Sequence, residues 1–237
     1  HLLTGNVGRP GCGSHSQTGQ PNAMSERLMG GLTSRLPFNQ PLSNQAWRDH
    51  IADAWHVPRE RLQQTSLLPN PGFVMGMMER ALKGGLDAMF WMYTTHVHMP
   101  DLDTLVRPAL TKMFVVVQDI YRHAPNNLYA DVIFPAATWG EWTGGTYIQS
   151  ERRLYVCDGT VNPPENCRPD MDMAIDKGMI LAKKLGLDAE KIFPYEKKIK
   201  MGNGLMAYDP QDVFRDIIAT SKGSDADFSG MLEVEKQ

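Results

Sequence analysis

The side chains best suited to chemistry stand where apolar runs of this sequence stop. Met113-Phe114-Val115-Val116-Val117 ends at Gln118-Asp119, an amide beside a carboxylate, and Asp131-Val132-Ile133-Phe134-Pro135 ends at Ala136-Ala137. A carboxylate accepts hydrogen bonds and an amide both donates and accepts, so the first pair can hold the polar edge of a ligand. A third run, residues 86–93, is followed by Thr94-Thr95-His96-Val97-His98. On an extended segment His96 and His98 would share one side and could hold a metal together. Polar lining of a ligand cleft is the better reading of His96. Residues 16–24 (SQTGQPNAM) carry amides and hydroxyls fit for polar contacts, without a nucleophile–base pair.

These groups need a scaffold, and the runs that precede them supply one. Short β-branched runs separated by helix-length connections read as buried parallel strands. Ligands of such sheets lie outside the carboxyl ends of the strands, which is where Gln118, Asp119 and the 137–145 loop fall. Residues 101–110 and 124–130 are expected to be helices between the runs. The repeat over residues 86–137 predicts an α/β fold, doubly wound, with a mostly parallel sheet flanked by helices and long irregular loops. Helices are also expected over residues 44–55, with Ser43 as N-cap, and over 72–83, ended by Gly84-Gly85. Two more are expected over 170–185, with Asp170 as N-cap, and over 210–221, led by Asp209 and Pro210. Residues 6–41 read as loop, 162–169 as proline-stiffened and irregular, 191–206 as polar and turn-rich, and 222–237 as a surface linker. The chain divides into a loop-rich segment 1–42, an α/β unit 43–187 and a helical or linker extension 188–237.

With 237 residues and a net charge of −3, the chain can bury a sizeable core and has no basic footprint for nucleic acid. No apolar run approaches the roughly 20 residues that span a bilayer. Three cysteines, Cys12, Cys157 and Cys167, include no C-x-x-C pair, which argues against a zinc or iron–sulfur site held by this chain alone. The opening His1-Leu2-Leu3-Thr4-Gly5 has neither initiator methionine nor signal-peptide pattern. It is expected to be the last turn of a helix in a longer polypeptide, with Gly5 at its end.

Several stretches together resemble the molybdopterin oxidoreductase superfamily. His1-Leu2-Leu3-Thr4-Gly5 with Gly8-Arg9-Pro10-Gly11 is similar to its "HLLTG…GxPG" opening, and residues 16–24 to the "SLTGQPNAM" stretch of periplasmic and assimilatory nitrate reductases. Asp119, Ala130-Asp131, Pro135-Ala136-Ala137, Trp139, Glu141, Gly144 and Ser150-Glu151-Arg152-Arg153 follow the block "D…AD-xxLPAA-xW-xE-xxG…ERR". Pro163-Pro164 and Arg168-Pro169-Asp170 resemble "PPGEARPD". The likeness covers about residues 1–187. It implies the third domain of a four-domain catalytic subunit that carries a Mo-bis(molybdopterin guanine dinucleotide) cofactor. The 4Fe-4S cluster segment, the molybdenum ligand and a carboxyl-terminal barrel would then lie outside this piece, which alone should not perform redox chemistry.

Carried over by position, Asp119 matches an acidic residue that recognises guanine, and Gln118 its neighbour in the same contact. Asp170 matches a second cofactor-contacting aspartate, a role that stands beside the plain helix cap. Residues 16–24 and His96 would wall a substrate funnel. Glu141, Glu151, Arg152 and Arg153 would brace the loop as ion pairs. The chain departs from nitrate reductases at Thr95-His96, where they carry Thr-Asn, and at Glu141-Trp142-Thr143-Gly144, where they carry Glu-Lys-x-Gly. Trp142 cannot supply that lysine's charge but can stack on a ring. The implied activity is two-electron oxygen-atom transfer with nitrate or a similar oxyanion as the small-molecule substrate. The wording of residues 115–120 is closer to formate dehydrogenases, so a formate enzyme is the near alternative. A cofactor-free scaffold, like the degenerate subunit of respiratory NADH dehydrogenases, is the distant one. Expected partners are the remainder of the catalytic subunit and an electron-transfer protein, with no nucleic acid and no membrane span. The compartment, cytoplasmic or periplasmic in a prokaryote, stays open.

Overall fold

The computed structural model describes residues 1–13, 23–32, 34–62, 73–142, 145–148 and 154–231. A short helix α1 (Ala23–Leu28) is followed by the two-residue antiparallel ladder of β1 (Arg35–Leu36) and β2 (Gln40–Pro41). Next comes α2 (Gln45–Ala54), whose cap is Asn44 and not Ser43: its side-chain oxygen accepts from the Trp47 N–H at 3.1 Å. An N-cap side chain accepts from the N–H two or three residues on, and it is Asn44 whose side chain does so here. α2 buries Trp47 and Ile51 against Leu36 and Phe38, and the Trp47 indole N–H donates to the Pro37 carbonyl at 3.0 Å.

The centre is the parallel sheet read from the apolar runs. After α3 (Phe73–Leu82) come β3 (Ala88–Met92), a π-helical turn (Leu102–Val106) that runs into α4 (Arg107–Leu110), then β4 (Phe114–Asp119) and β5 (Val132–Pro135). The strands lie in the order β3-β4-β5, all parallel, with Phe90 opposite Val116 and Val116 opposite Val132. Trp91, Val115 and Val117 therefore share one face and pack on Met78, Ala81, Val106, Ala109 and Leu110. Phe90, Val116, Gln118 and Phe134 share the other, where Lys177 of α5 (Asp170–Lys184) lies over the Phe90 ring. Helices on both faces give the doubly wound arrangement expected.

Two connections differ from the expected helices. Pro108 has no N–H for the carbonyl four residues earlier, and the turn before it is wound wide, with the Val106 N–H on the Asp101 carbonyl at 3.1 Å. Residues Pro125–Tyr129 form a 3-10 turn because Asn126 and Asn127 turn their side chains back to the preceding loop instead of supporting a helix.

Beyond β5, Ala136 bridges Arg168 in parallel, and β6 (Gly145–Ile148) and β7 (Leu154–Cys157) pair as an antiparallel hairpin. After α5 come α6 (Ala189–Ile192), β8 (Lys197–Lys200), β9 (Met206–Tyr208) and α7 (Pro210–Thr220). Asp209 caps α7 as expected, accepting from the Gln211 N–H at 2.9 Å. The stretch read as turn-rich contains the antiparallel β8–β9 hairpin, held by tertiary packing of Met201 and Ala207 on Ala137. The tail is likewise more than a linker. Phe228 packs against the Trp47 cluster, and its N–H donates to the Ser221 hydroxyl at 2.8 Å.

Candidate functional site

A cleft of about 610 Å³ opens at the carboxyl ends of β3 and β4, walled by residues 93–95 and 119–126. Asp119 is the last residue of β4, and two neighbours fix its carboxylate. The Tyr121 N–H donates to Oδ1 at 2.8 Å and the Asn126 amide to Oδ2 at 3.2 Å. A carboxylate has about four acceptor positions, so each oxygen keeps capacity for a ligand. Asn126 is 3% exposed, and its Oδ1 has no partner among the described residues. Arg122 and His123 stand exposed on the same wall. Asn127 braces that wall by donating to the carbonyls of Tyr121 and Arg122 at 3.1 and 2.8 Å.

Gln118 lies inside the protein. It is 0% exposed, donates through Nε2 to the Asp170 carboxylate and accepts from Lys177 Nζ at 3.0 Å. The Tyr93 phenol is coupled electrostatically to the same carboxylate. Burial pushes the Asp170 carboxyl above its ordinary range, against the pull of Gln118, Tyr93 and Lys177. Burial also raises the Tyr93 phenol, with Asp170 adding to it, and lowers the Lys177 ammonium, which Asp170 opposes. Asp170 is therefore not the cap of α5. Pro169 holds that position, and the carboxylate of Asp170 is engaged by Gln118. Tyr93 is held at φ 49° at the end of β3, the left-handed region where a bulky side chain is costly.

The sequence model of the family described as molybdopterin oxidoreductase matches residues 1–176. The chain belongs to the molybdopterin oxidoreductase family. Relatives include a nitrate reductase of Synechocystis sp., 35% identical over 180 residues, 75% of this chain and 24% of the relative. The periplasmic nitrate reductase of Desulfovibrio desulfuricans is 30% identical over 236 residues, 98% of this chain and 28% of the relative. The assimilatory nitrate reductase of Haloferax mediterranei is 32% identical over 238 residues, 97% of this chain and 28% of the relative. This member thus spans about a quarter of the length of the relatives it matches. Among the described residues no helix is long and apolar enough to cross a membrane.

Of the residues that the family resemblance points to, the structure brings Gln118, Asp119 and Asp170 together at the end of β4. His96 and Trp142 lie elsewhere. His96 is 1% exposed, edge-on to Tyr129 and Trp91 at ring distances of 5.0 and 6.4 Å, and is not part of the cleft wall. Burial, then the charge of Arg107, lowers its imidazole pKa. His96 and His98 belong to a 3-10 turn, not an extended segment, and His98 points outward. No three His, Cys, Asp or Glu side chains among the described residues converge on a point fit for a metal. Trp142 packs against the Ala137–Met201–Ala207 cluster. Glu141 accepts from the Thr138 N–H at 3.0 Å and so braces its turn. Residues 16–22, 143–144 and 151–153 lie outside the described residues.

A second polar cluster ties α5 to the β8–β9 hairpin. Asp172, 0% exposed, accepts from Arg168 at 2.8 Å and from the Tyr208 N–H at 2.7 Å. Asp176 accepts from Arg168, Lys197 and the Tyr208 hydroxyl at 2.5, 2.8 and 2.7 Å. Sequence reasoning missed Tyr93, Asn126 and Lys177. Tyr93 reads as the end of an apolar run and Asn126 as part of a helix. The i, i+7 spacing of Asp170 and Lys177 on one helix face is the signal that could have found Lys177.

Proposed function

We propose that this chain supplies a guanine-nucleotide-binding part of a nitrate reductase-like molybdopterin oxidoreductase. The observation that carries the reading is Asp119, fixed at the end of the central strand with acceptor capacity left beside a cleft. Guanine offers two adjacent donors, N1–H and the 2-amine, to which a carboxylate is complementary, and such charge-assisted bonds are strong. The acceptor pair present thus fits the guanine end of a molybdopterin guanine dinucleotide. Arg122 and His123 on the rim suit the phosphates. Tyr93 forms the facing wall, with Gln118, Asp170 and Lys177 holding it from behind. In this reading residues 43–187 are the nucleotide-binding unit, 1–42 wall a funnel and 188–237 are an extension beside it. The Mo-bis(molybdopterin guanine dinucleotide) group, when bound, supplies two-electron oxygen-atom transfer, with nitrate or a similar oxyanion as substrate. The nitrate reductase names of the relatives support that substrate class. A 4Fe-4S relay and an electron-transfer partner beyond this chain complete the reading. The scaffold reading rested on His96 and Trp142, and neither belongs to the cleft wall.

Saturation-transfer NMR of the 237-residue chain with GMP tests the assignment. GMP should bind, and Asp119→Ala should weaken it by roughly 10- to 100-fold, the range of hydrogen bonds to a charged group. Absent binding, or binding indifferent to Asp119→Ala, would overturn it.

A further inference from the structure

We propose that His96 is a pH-sensitive pin of the cleft wall: neutral, it holds residues 93–95 in place, and protonated, it releases them. Tyr93, Thr94 and Thr95 line the cleft, and His96 follows them directly in the chain. His96 itself does not line it. Its side chain is 1% exposed and lies edge-on to Trp91 of β3 and to Tyr129 of the 3-10 turn that precedes β5. The wall and the pin are tied locally, because Thr95 caps the turn of His96 and accepts from the Val97 N–H at 3.5 Å. At the other end of the wall Tyr93 is held at φ 49°, a conformation that lasts only while the surroundings enforce it.

His96 Nδ1 is buried with no partner among the described residues. A neutral imidazole carries one hydrogen, and its bare nitrogen tolerates such a place better than an imidazolium does, with a hydrogen on both nitrogens and a charge besides. The elements packed around the ring offer that charge little. β3 has no ionisable side chain, and the 125–129 turn has only Tyr129. On the π-helical turn and α4 the charged residues are Asp103 and Arg107; Arg107 acts against protonation of His96, and Asp103 is paired with Arg107. Asp101, just before that turn, accepts from the Thr104 hydroxyl at 3.3 Å, and His98 of the same turn as His96 is exposed. Burial and Arg107 thus hold the closed form of His96 below its ordinary value, while the opened form regains a value of about 6.5. The opened segment binds the proton more readily, so the wall is held fully above that pH and opens more easily as pH falls below it.

The test is amide hydrogen exchange of the 237-residue chain at pH 7.5 and pH 5.5, with rates corrected for the intrinsic pH dependence of exchange. Opening of residues 93–98 should rise by about tenfold at the lower pH, the factor for a group that titrates near 6.5 when open and stays neutral when closed. Residues 113–117 of the central strand should change little. His96→Asn keeps a polar side chain that does not titrate and should abolish the rise. An NMR titration of the His96 ring in the wild-type chain decides the matter if that variant fails to fold: the ring should stay neutral well below pH 6.5. A wild-type opening that ignores pH, an equal rise in His96→Asn, or an equal rise in residues 113–117 would overturn the inference. So would a ring that titrates at its ordinary value, because Trp91 and Tyr129 would then accommodate the imidazolium through their π faces. None of these outcomes bears on the guanine reading of Asp119.

Discussion

Gln118 and Asp119 are neighbours on one strand, and alternation sends their side chains to opposite faces of the sheet. Asp119 is left at the cleft, and Gln118 is directed beneath α5, where its amide joins Asp170 to Lys177. The resemblance gave both residues to the same nucleotide contact, but only one of them walls the cleft. Gln118 then acts through its neighbours, and Gln118→Leu should separate the two roles. It leaves the Asp170 carboxylate and the Lys177 ammonium without their shared partner, at a cost of about 1–3 kcal/mol. The expected result is a lower urea midpoint at unchanged m-value, with GMP affinity altered much less than by Asp119→Ala.

At the scale of elements, the sheet positions the cleft through its packed face. Met78 of α3 is fully buried among Ala81, Val106, Leu110 and the side chains of β3 and β4. Met78→Ala removes most of that side chain from a close-packed site and should cost about 2–5 kcal/mol, read as a fall in melting temperature. The elements also show what pattern reading captures. Runs such as residues 113–117 are legible as strands because β-branched residues repeat without polar interruption. The β8–β9 hairpin is not legible, because Lys197, Lys198 and Lys200 make it look like solvated loop. Its docking depends on Lys197 meeting Asp172 and Asp176 across a sequence gap.

For the whole molecule, α5 is the shared member. Asp170 and Lys177 on one of its faces serve the cleft, while Asp172 and Asp176 on another hold the hairpin that leads to α7. Burial would raise the Asp176 carboxyl, but bonds from Lys197, Arg168 and Tyr208 outweigh it and hold the carboxyl below its ordinary value. The unfolded chain therefore binds this proton more readily than the folded one. The stabilisation is present above the unfolded value of about 4 and is lost as pH falls through the lower folded value. Asp176→Asn should accordingly flatten the acid side of the stability–pH profile, measured by urea unfolding from pH 7 to pH 2. It should also speed amide exchange in β8 and β9 while GMP binding stays unchanged. A loss of GMP binding in that variant would mean that the two faces of α5 are coupled.

The sequence by itself determined the parallel sheet, the place of Asp119 at a strand end and, through ordered motifs, the family. Each of these is local: apolar runs set strands, and a residue that follows a run lies at its carboxyl end. Tertiary structure decided the rest. His96 became a core side chain because Trp91 and Tyr129 close over it. Asp170 gave up the cap position because Gln118 reaches it from 52 residues away in sequence. Asn126 came to stand beside Asp119 because a 3-10 turn replaced the expected helix. The partner of a buried polar group is chosen by where the packed elements bring the chain, and a linear pattern does not carry that information.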